Sequence, residues 1–446
     1  MNLENNFFAF FLACKYRFKN LKGEKLHNYQ VNRLKKIVAY SVKNSLFFKK
    51  YYSNYDINKV FSLPTVNKYI MMENLSEYNT VGFKKEELIN FCLEVEKSRD
   101  YSKRYKNYNV AMSSGTSGNK GIVITSPKEE RYLKAAFFAR FPFPKTLKLN
   151  IAFILRVSTP AFNINKFGQK LTYFSLLDPL EKIVNNLNSL QPNILSAPPS
   201  MLNLLARELN EGKLHIKPKK IISYAEILYP DIRQKVEETF GIRIDEIYQA
   251  SEGPIAMSCK HGSLHINEDL VAVQTLNKDD SPTEKGELCH QLVVSDLYKT
   301  SQPIIRFELN DMIRISAEKC TCGSGFRVID EIVGRTDDLL VGFNSSTGQV
   351  QYIFPDYIRR AIISSSENVV EYQAIQTSKN RLEISIQLSK DEEEFPNIKE
   401  MIKRAIEQVF EIYNCEIPNV VVKISKSQLH PVSKKLIRIQ RSFSIS

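Results

Sequence analysis

The residues of this 446-residue chain that could do chemistry begin with one run, Ser113-Ser114-Gly115-Thr116-Ser117-Gly118-Asn119-Lys120-Gly121. Glycines let a backbone turn sharply and bring its N–H groups close to phosphate oxygens. Hydroxyls from Ser and Thr add donors, and Lys120 adds positive charge. The run is not a G-x-x-x-x-G-K-[ST] loop, because its lysine follows the second glycine at the wrong spacing, and it contains no G-x-G-x-x-G. Taken alone it reads as a phosphate cradle or as a flexible surface loop. A second set pairs Cys259 with His265 and Cys320 with Cys322. Three thiolates and an imidazole would make a closed tetrahedral zinc site. The spacing C-x5-H with C-x-C matches no common zinc finger, His261 is a rival ligand, and Cys289-His290 lies between the pairs. Reduced cysteines without metal are the plain alternative. Cys14, Cys92 and Cys415 read as core residues.

These residues need elements to position them. Leu34, Ile37, Val38, Ser41 and Val42 recur at helical spacing, so the first 55 or so residues read as helical. Val110 to Ile124 brackets the glycine-containing run between two β-branched stretches, which predicts strand, loop, strand. Asn150 to Val157 predicts another strand. Pro192 to Leu205 predicts a strand, a turn and a helix opened by Pro198 and Pro199. Lys220 to Tyr224 followed by Tyr229 to Phe240 repeats strand then helix. Strands alternating with helices predict an α/β core. Beyond about Asp337 the pattern changes. Leu382, Ile384, Ile386 and Leu388 alternate with polar residues, Asn397 to Phe410 is an amphipathic helix, and Val420 to Ile424 is a strand. That predicts a separate small α+β unit.

Hydrophobic residues make up 43% and charged residues 25%, which is globular composition. The net charge of +13 suits an anionic partner without choosing among nucleotide, coenzyme A, nucleic acid or an acidic membrane surface. Phe7 to Cys14 is the most apolar N-terminal run. It is far short of the ~20 residues a membrane span needs, has no positive stretch before it and no small-residue cleavage site after it, and reads as a packed helix. With seven cysteines, an odd number, the expectation is a cytoplasmic protein with no transmembrane segment.

The run Ser113 to Gly121 resembles the phosphate-binding motif of the adenylate-forming superfamily, which holds acyl-CoA ligases, luciferases and peptide-synthetase adenylation domains. Three further stretches follow in that family's order. Tyr248-Gln249-Ala250-Ser251-Glu252-Gly253 resembles the motif whose Glu holds magnesium on ATP. Pro303-Ile304-Ile305-Arg306-Phe307-Glu308-Leu309-Asn310-Asp311 resembles the motif ending in the Asp that binds the ribose hydroxyls. Gly334-Arg335-Thr336-Asp337-Asp338 resembles the inter-domain hinge, and Lys434-Lys435-Leu436-Ile437-Arg438 sits where the family keeps a catalytic lysine. Together they cover roughly Val110 to Arg438. The wording is closest to the phenylacetate-CoA ligase branch and its CapK-like capsule-biosynthesis relatives. Leu264-His265-Ile266-Asn267-Glu268-Asp269 and Leu63-Pro64-Thr65-Val66-Asn67-Lys68 are similar to that branch, and so is the presence of a structural zinc at positions like the four ligands above.

The resemblance implies a large N-terminal adenylate-forming α/β domain, residues 1–335, with the ATP and carboxylate sites. It implies a small mobile α+β lid, residues 336–446, turning about Asp337. Ser113, Ser114, Gly115, Thr116, Ser117, Gly118, Lys120, Tyr248, Ser251, Asp311 and Arg335 would bind nucleotide, Glu252 would hold magnesium, and Lys435, Glu252 and Arg335 would be catalytic. The family usually has Gly before its lysine, where this chain has Lys434; the spacing to Arg438 selects Lys435. The implied activity is ATP-dependent formation of an acyl-adenylate from a small carboxylate, then transfer to an acceptor. Leu339 to Gln349 departs from the glycine-rich stretch that contacts coenzyme A in that branch. An amine or hydroxyl in surface polysaccharide biosynthesis is therefore the expected acceptor. Coenzyme A, or AMP transfer to a cofactor hydroxyl, is the alternative. A basic, zinc-stapled nucleic-acid-binding module is a reading from another class; four ordered nucleotide motifs and the lack of a basic stripe with interleaved aromatics oppose it.

Overall fold

A computed structural model describes residues 6–98, 100–112, 121–141, 149–155, 169–176, 178–335, 339–353, 355–366, 368–389, 392–428 and 436–443. The chain divides into two compact units. Of the described residues, the larger takes those through Leu309 with Arg314–Glu331, and the smaller takes Asn310–Ile313 and Ile332 onward.

The larger unit opens with helices α1 (Phe7–Asn20), α2 (Gly23–Asn44), α3 (Leu46–Tyr51), α4 (Lys68–Glu73), α5 (Leu75–Tyr78) and α6 (Lys85–Ser98). In α2 the expected stripe is buried through Leu34, Ile37, Val38 and Ser41. Asn67 caps α4 by accepting from the Ile70 N–H at 2.9 Å. Strands β1 (Asn109–Met112) and β2 (Ile122–Thr125) follow, then α7 (Pro127–Arg140), β3 (Leu149–Leu155), β4 (Gln169–Ser175), α8 (Leu180–Leu190), β5 (Ile194–Ala197), α9 (Pro199–Asn210), β6 (Lys220–Tyr224), α10 (Pro230–Phe240) and β7 (Ile244–Ala250). Pro199 and Pro230 open their helices, where a missing N–H costs nothing. Antiparallel strands follow: β8 (Gly253–Ser258), β9 (Leu264–Ile266), β10 (Val271–Leu276), β11 (Gln291–Asp296) and β12 (Phe307–Leu309), then β13 (Asp311–Ile315) and β14 (Val328–Arg335), whose residues are divided between the two units.

The main sheet runs β13-β14-β9-β8-β7-β6-β5-β3-β4. From β4 to β7 neighbours are parallel, and from β7 to β14 they are antiparallel. All four residues of β5 are buried, as a central parallel strand covered on both faces requires. Helices α8, α9 and α10 cover one face through Leu187, Leu202, Leu205 and Val236, packed with Ile154, Leu195 and Ile221. A second sheet, β10-β11-β12, joins α2 to α5 through Leu34, Phe48, Tyr78, Leu297 and Phe307.

The smaller unit holds β15 (Leu340–Phe343), β16 (Val350–Ile353), α11 (Pro355–Ile363), β17 (Val369–Ser378), β18 (Arg381–Leu388), α12 (Phe395–Ile412), β19 (Asn419–Ile424) and β20 (Ile439–Arg441). Its sheet order is β19-β18-β17-β20. The alternation in β18 buries Leu382, Ile384 and Ile386 against Ile398, Ile402 and Ile406 of α12.

One expectation needs correction. The apolar run opening the chain is helical, but only its Phe10 and Cys14 face is buried, while Phe7, Phe8, Leu12 and Tyr16 are exposed. The run is apolar nearly all round, yet its packing comes from one side, chiefly α7. Among the described residues no helix is long and apolar enough to cross a membrane.

Candidate functional site

Ser251 and Glu252 form the tight connection from β7 to β8, at the carboxyl end of the last parallel strand, and Tyr248 lies near the end of β7 just before it. In open α/β sheets ligands bind outside these carboxyl ends. Ala250 pairs with Gly253 past a bulge, which leaves Ser251 exposed and Glu252 half-buried at the turn. Gly253 fits tightly there. A Cβ on it would lie 3.3 Å from Val271 Cγ1 and 3.4 Å from Asp296 Oδ2. Along the same edge, Ala225 follows β6 with φ +68°, a left-handed conformation unusual for alanine. Next to it, the Glu226 carboxylate accepts from Ser200 N–H and Oγ, each at 3.0 Å. The connections after β5, β6 and β7 thus converge on one edge. The sequence reading missed Ala225 and Glu226, whose only signal is a non-glycine residue in a turn that wants positive φ.

The loop Ser113–Lys120 lies outside the described residues, but its two flanking strands do not. Met112 pairs with Ile122. Gln302 pins β2 by accepting from Ile124 N–H at 2.9 Å and donating to Ile122 O at 2.8 Å. Glu129, capping box partner of Ser126, also accepts from Thr300 and Ser301 N–H at 2.7 and 2.9 Å. Behind this, Asp296 is buried, which pushes its carboxyl up to about 6. Burial lowers the Lys299 ammonium against the opposing pull of Glu129, Asp296 and Glu252. The stretch Leu63 to Lys68 meets the stretch ending at Asp311 through Val66 N–H to Arg306 O, 3.0 Å, and Glu308 N–H to Val66 O, 2.9 Å.

Asp311 opens β13, half-buried, in the smaller unit. Arg335 ends β14, and its side chain is outside the described set, as are Asp337 and Lys435. The feet of the segment carrying Lys435 are fixed. Gln373 donates to Gln428 O and to Ile437 O, both 2.9 Å, and accepts from Gln428 N–H at 2.9 Å. Arg438, whose spacing selected Lys435, is buried in a two-point ion pair with Glu371, both contacts 2.8 Å. It anchors the segment within that unit.

The cysteine and histidine set comes together. Ligand atoms of Cys259, His265, Cys320 and Cys322 all lie within 4.8 Å of one another. Pairing of Val328 with His265 brings the 320–326 loop onto the β8–β9 hairpin. Cys259 Sγ is 3.8 Å from Cys320 Sγ, and Cys322 Sγ is 3.3 Å from His265 Nε2. A tetrahedron with Zn–S bonds of ~2.3 Å has S–S edges of about 3.8 Å. Gly262 and Gly323, at φ +90° and +87°, turn both cysteine loops. N–H groups of His261, Cys322 and Ser324 point at the sulfurs of Cys259, Cys320 and Cys322 at 3.4 to 3.5 Å. His265 Nδ1 is 2.9 Å from Phe326 O; a carbonyl only accepts, so Nδ1 donates there and Nε2 is the ring nitrogen turned toward the thiols. Burial pushes the Cys322 thiol up to about 12. Burial also acts on Cys320, but donors including the Ser263 hydroxyl and the Cys322 N–H outweigh it and lower that thiol. His261 instead faces Thr321 Oγ1 at 2.9 Å, and Cys289 is buried outside the set. The donors suit zinc. Phe18 of α1 packs edge-on against His265, and Ser324 Oγ donates to Phe18 O at 2.8 Å.

No family model matches the chain. It is similar to a phenylacetate-coenzyme A ligase from Thermus thermophilus, 29% identical over 209 residues. That match spans 44% of this chain and 44% of the relative, under half the relative's length. Among solved structures it resembles a 2-hydroxyisobutyryl-CoA ligase in its postadenylation state with a bound acyl-AMP. The TM-score is 0.70 at 15% identity, over 93% of this chain and 90% of that one. An amide bond synthetase from Marinactinospora thermotolerans aligns at TM-score 0.51 and 11% identity, over 76% and 69%. The fold is thus the mixed α/β fold of adenylate-forming ligases, with a smaller C-terminal part.

Proposed function

We propose that the protein is an ATP-dependent, AMP-forming ligase. A carboxylate oxygen attacks the α-phosphorus, pyrophosphate leaves, and an acceptor then displaces AMP from the acyl carbon. The observation that carries this reading is the Tyr248–Gly253 motif, whose Ser251 and Glu252 form the turn at the carboxyl end of the last parallel strand within this fold. Both reactants are anionic, so the site must align them and offset charge. Glu252 would hold magnesium, which neutralises phosphate charge when bound. Ser113–Lys120 would cradle phosphates, Tyr248 and Ser251 would line the nucleotide, Asp311 would accept the ribose hydroxyls, and Arg335 would donate beside them. Lys435 would reach the α-phosphate, and the unit beyond Asp337 would act as the lid. Cys259, His265, Cys320 and Cys322 would hold one structural zinc.

The acceptor divides two readings. The relatives' names favour coenzyme A. The stretch Leu339 to Gln349 favours an amine or hydroxyl, as in CapK-like polysaccharide biosynthesis. It holds β15 and the turn into β16, closed by Asn344 accepting from Ser346 and Thr347 N–H at 3.0 and 2.9 Å. The test is carboxylate-dependent exchange of pyrophosphate into ATP, screened over carboxylates. Wild type is expected to exchange, and folded Glu252→Ala to lose at least about 100-fold. Wild-type exchange in that variant removes Glu252 from the site. With the carboxylate in hand, saturable thioester formation with coenzyme A and no product with amino sugars or amino acids selects the first acceptor reading.

A further inference from the structure

We infer that the outer face of α1 is a docking surface for an anionic lipid bilayer. The inner face of this helix is fastened to the larger unit. Phe10 stacks on Tyr132 with centroids 4.4 Å apart, and Arg17 pairs with buried Asp269 at 2.9 Å. The outer face therefore stays outward in the folded protein. It exposes Phe8 (61%), Leu12 (48%) and Tyr16 (66%), one helical turn apart, with Phe7 (40%) beside them. Phe11 stacks on Phe8, centroids 6.0 Å apart, and the Lys15 ammonium sits 4.6 Å from the Phe11 ring.

Charge identifies the occupant. α1 contains no acidic residue, and Lys15, Lys19, Lys22 and Lys25 are all exposed. Residues 6–50 hold eleven Lys or Arg and one acidic residue, a net +10 where the whole chain has +13. The two chemistries are also ordered along the axis. Phe7, Phe8, Phe11 and Leu12 occupy the first half of α1, while Lys15, Lys19 and then Lys22 follow. A helix lowered tip-first reaches the acyl boundary with rings and leaves its lysines among phosphate headgroups, as interfacial helices do. A second copy fits this face poorly, because it would bury Lys15 beside the Phe11 ring with no acidic residue on α1 to pair it. Nucleic acid would leave the apolar tip in water. Such docking would bring the ligase to acceptors or carboxylates carried on lipid.

The test is co-sedimentation of the full chain with vesicles of phosphatidylcholine alone or of equal parts phosphatidylcholine and phosphatidylglycerol. Binding to the second kind, weakening with salt, is expected. Phe8→Ser/Leu12→Ser, at exposed positions that leave the packed face intact, is expected to weaken it by about tenfold or more. Lys15→Glu/Lys19→Glu is expected to remove the preference for the anionic lipid. Wild type that ignores phosphatidylglycerol, or a serine variant that binds as wild type does, overturns the inference. So does concentration-dependent dimerisation, lost in the serine variant, without vesicle binding. Heparin retention without vesicle binding overturns it as well.

Discussion

Glu129 accepts five hydrogen bonds, from Ser126, Thr300 and Ser301 N–H and from the Thr300 and Ser301 hydroxyls. Burial works against its ionisation, but these donors outweigh burial and hold the carboxyl below its ordinary value of 4.5. A depressed carboxylate gives stability that is present above the unfolded value and is lost as pH falls through the folded one. Glu129→Gln turns an amide NH2 toward donors and is expected to cost about 2–4 kcal/mol at neutral pH. The gap from wild type should shrink as pH falls below about 4.5, because the unfolded wild-type chain takes up a proton there that the folded carboxylate resists. Urea unfolding of both proteins at pH 7 and at pH 4 measures this. A gap that does not change with pH would mean that Glu129 titrates alike in the folded and unfolded chain, so that its donors give the ionised form no advantage. Asp296 acts with the opposite sign: its raised carboxyl contributes stability at low pH that is lost as pH rises through about 6.

At the scale of elements, the cysteine and histidine knot joins three pieces: the β8–β9 hairpin, the loop before β14, and α1. Gly325 is pressed so closely that a Cβ would overlap Lys22 and lie 3.0 Å from Leu21 O. Cys320→Ser should therefore do more than lose the metal, expected at about one zinc per chain in wild type. It should cost on the order of 3 kcal/mol and make α1 an early site of proteolysis. Wild-type protein with no zinc and every thiol titrating freely would sink the metal site. Much of this level was legible in the sequence. Alternation marks a half-buried strand, so β18 could be read directly. Pro198 and Pro199 placed the start of α9. The four ligands could be named because cysteine and histidine have few other uses together. The clamps could not be read. Gln302 reaches back 178 residues to β2, and Gln373 reaches 55 residues forward to Gln428. Glutamine carries no signal that distinguishes such a clamp from a solvated side chain. The exposed half of α1 was missed for a related reason: an apolar run announces burial, but the number of neighbours is set by tertiary structure.

At the scale of the molecule, the chain has two compact units, with Glu252 in the larger and the anchored segment carrying Lys435 in the smaller. A lysine that neutralises the α-phosphate is needed only while pyrophosphate leaves. Lys435→Ala is expected to lower adenylate formation by about 100-fold or more. Transfer from a supplied acyl-adenylate should stay within about threefold of wild type. Single-turnover rates for the two half-reactions separate them, and an equal fall in both would take Lys435 out of that role. The connection between α1 and the metal knot also bears on how the chain is made. Ser324 Oγ bonds to Phe18 O across 306 residues, and Arg140 and Asp269, which hold the inner face of α1, also come much later than α1. At about 5–20 residues per second, a ribosome needs roughly 15–60 s after Phe18 emerges to supply Ser324. For that time the aromatic helix has no finished surface to rest on. The nascent chain should depend on holdase chaperones during that interval, so its yield should fall in cells short of them before any loss of stability is seen in the folded protein.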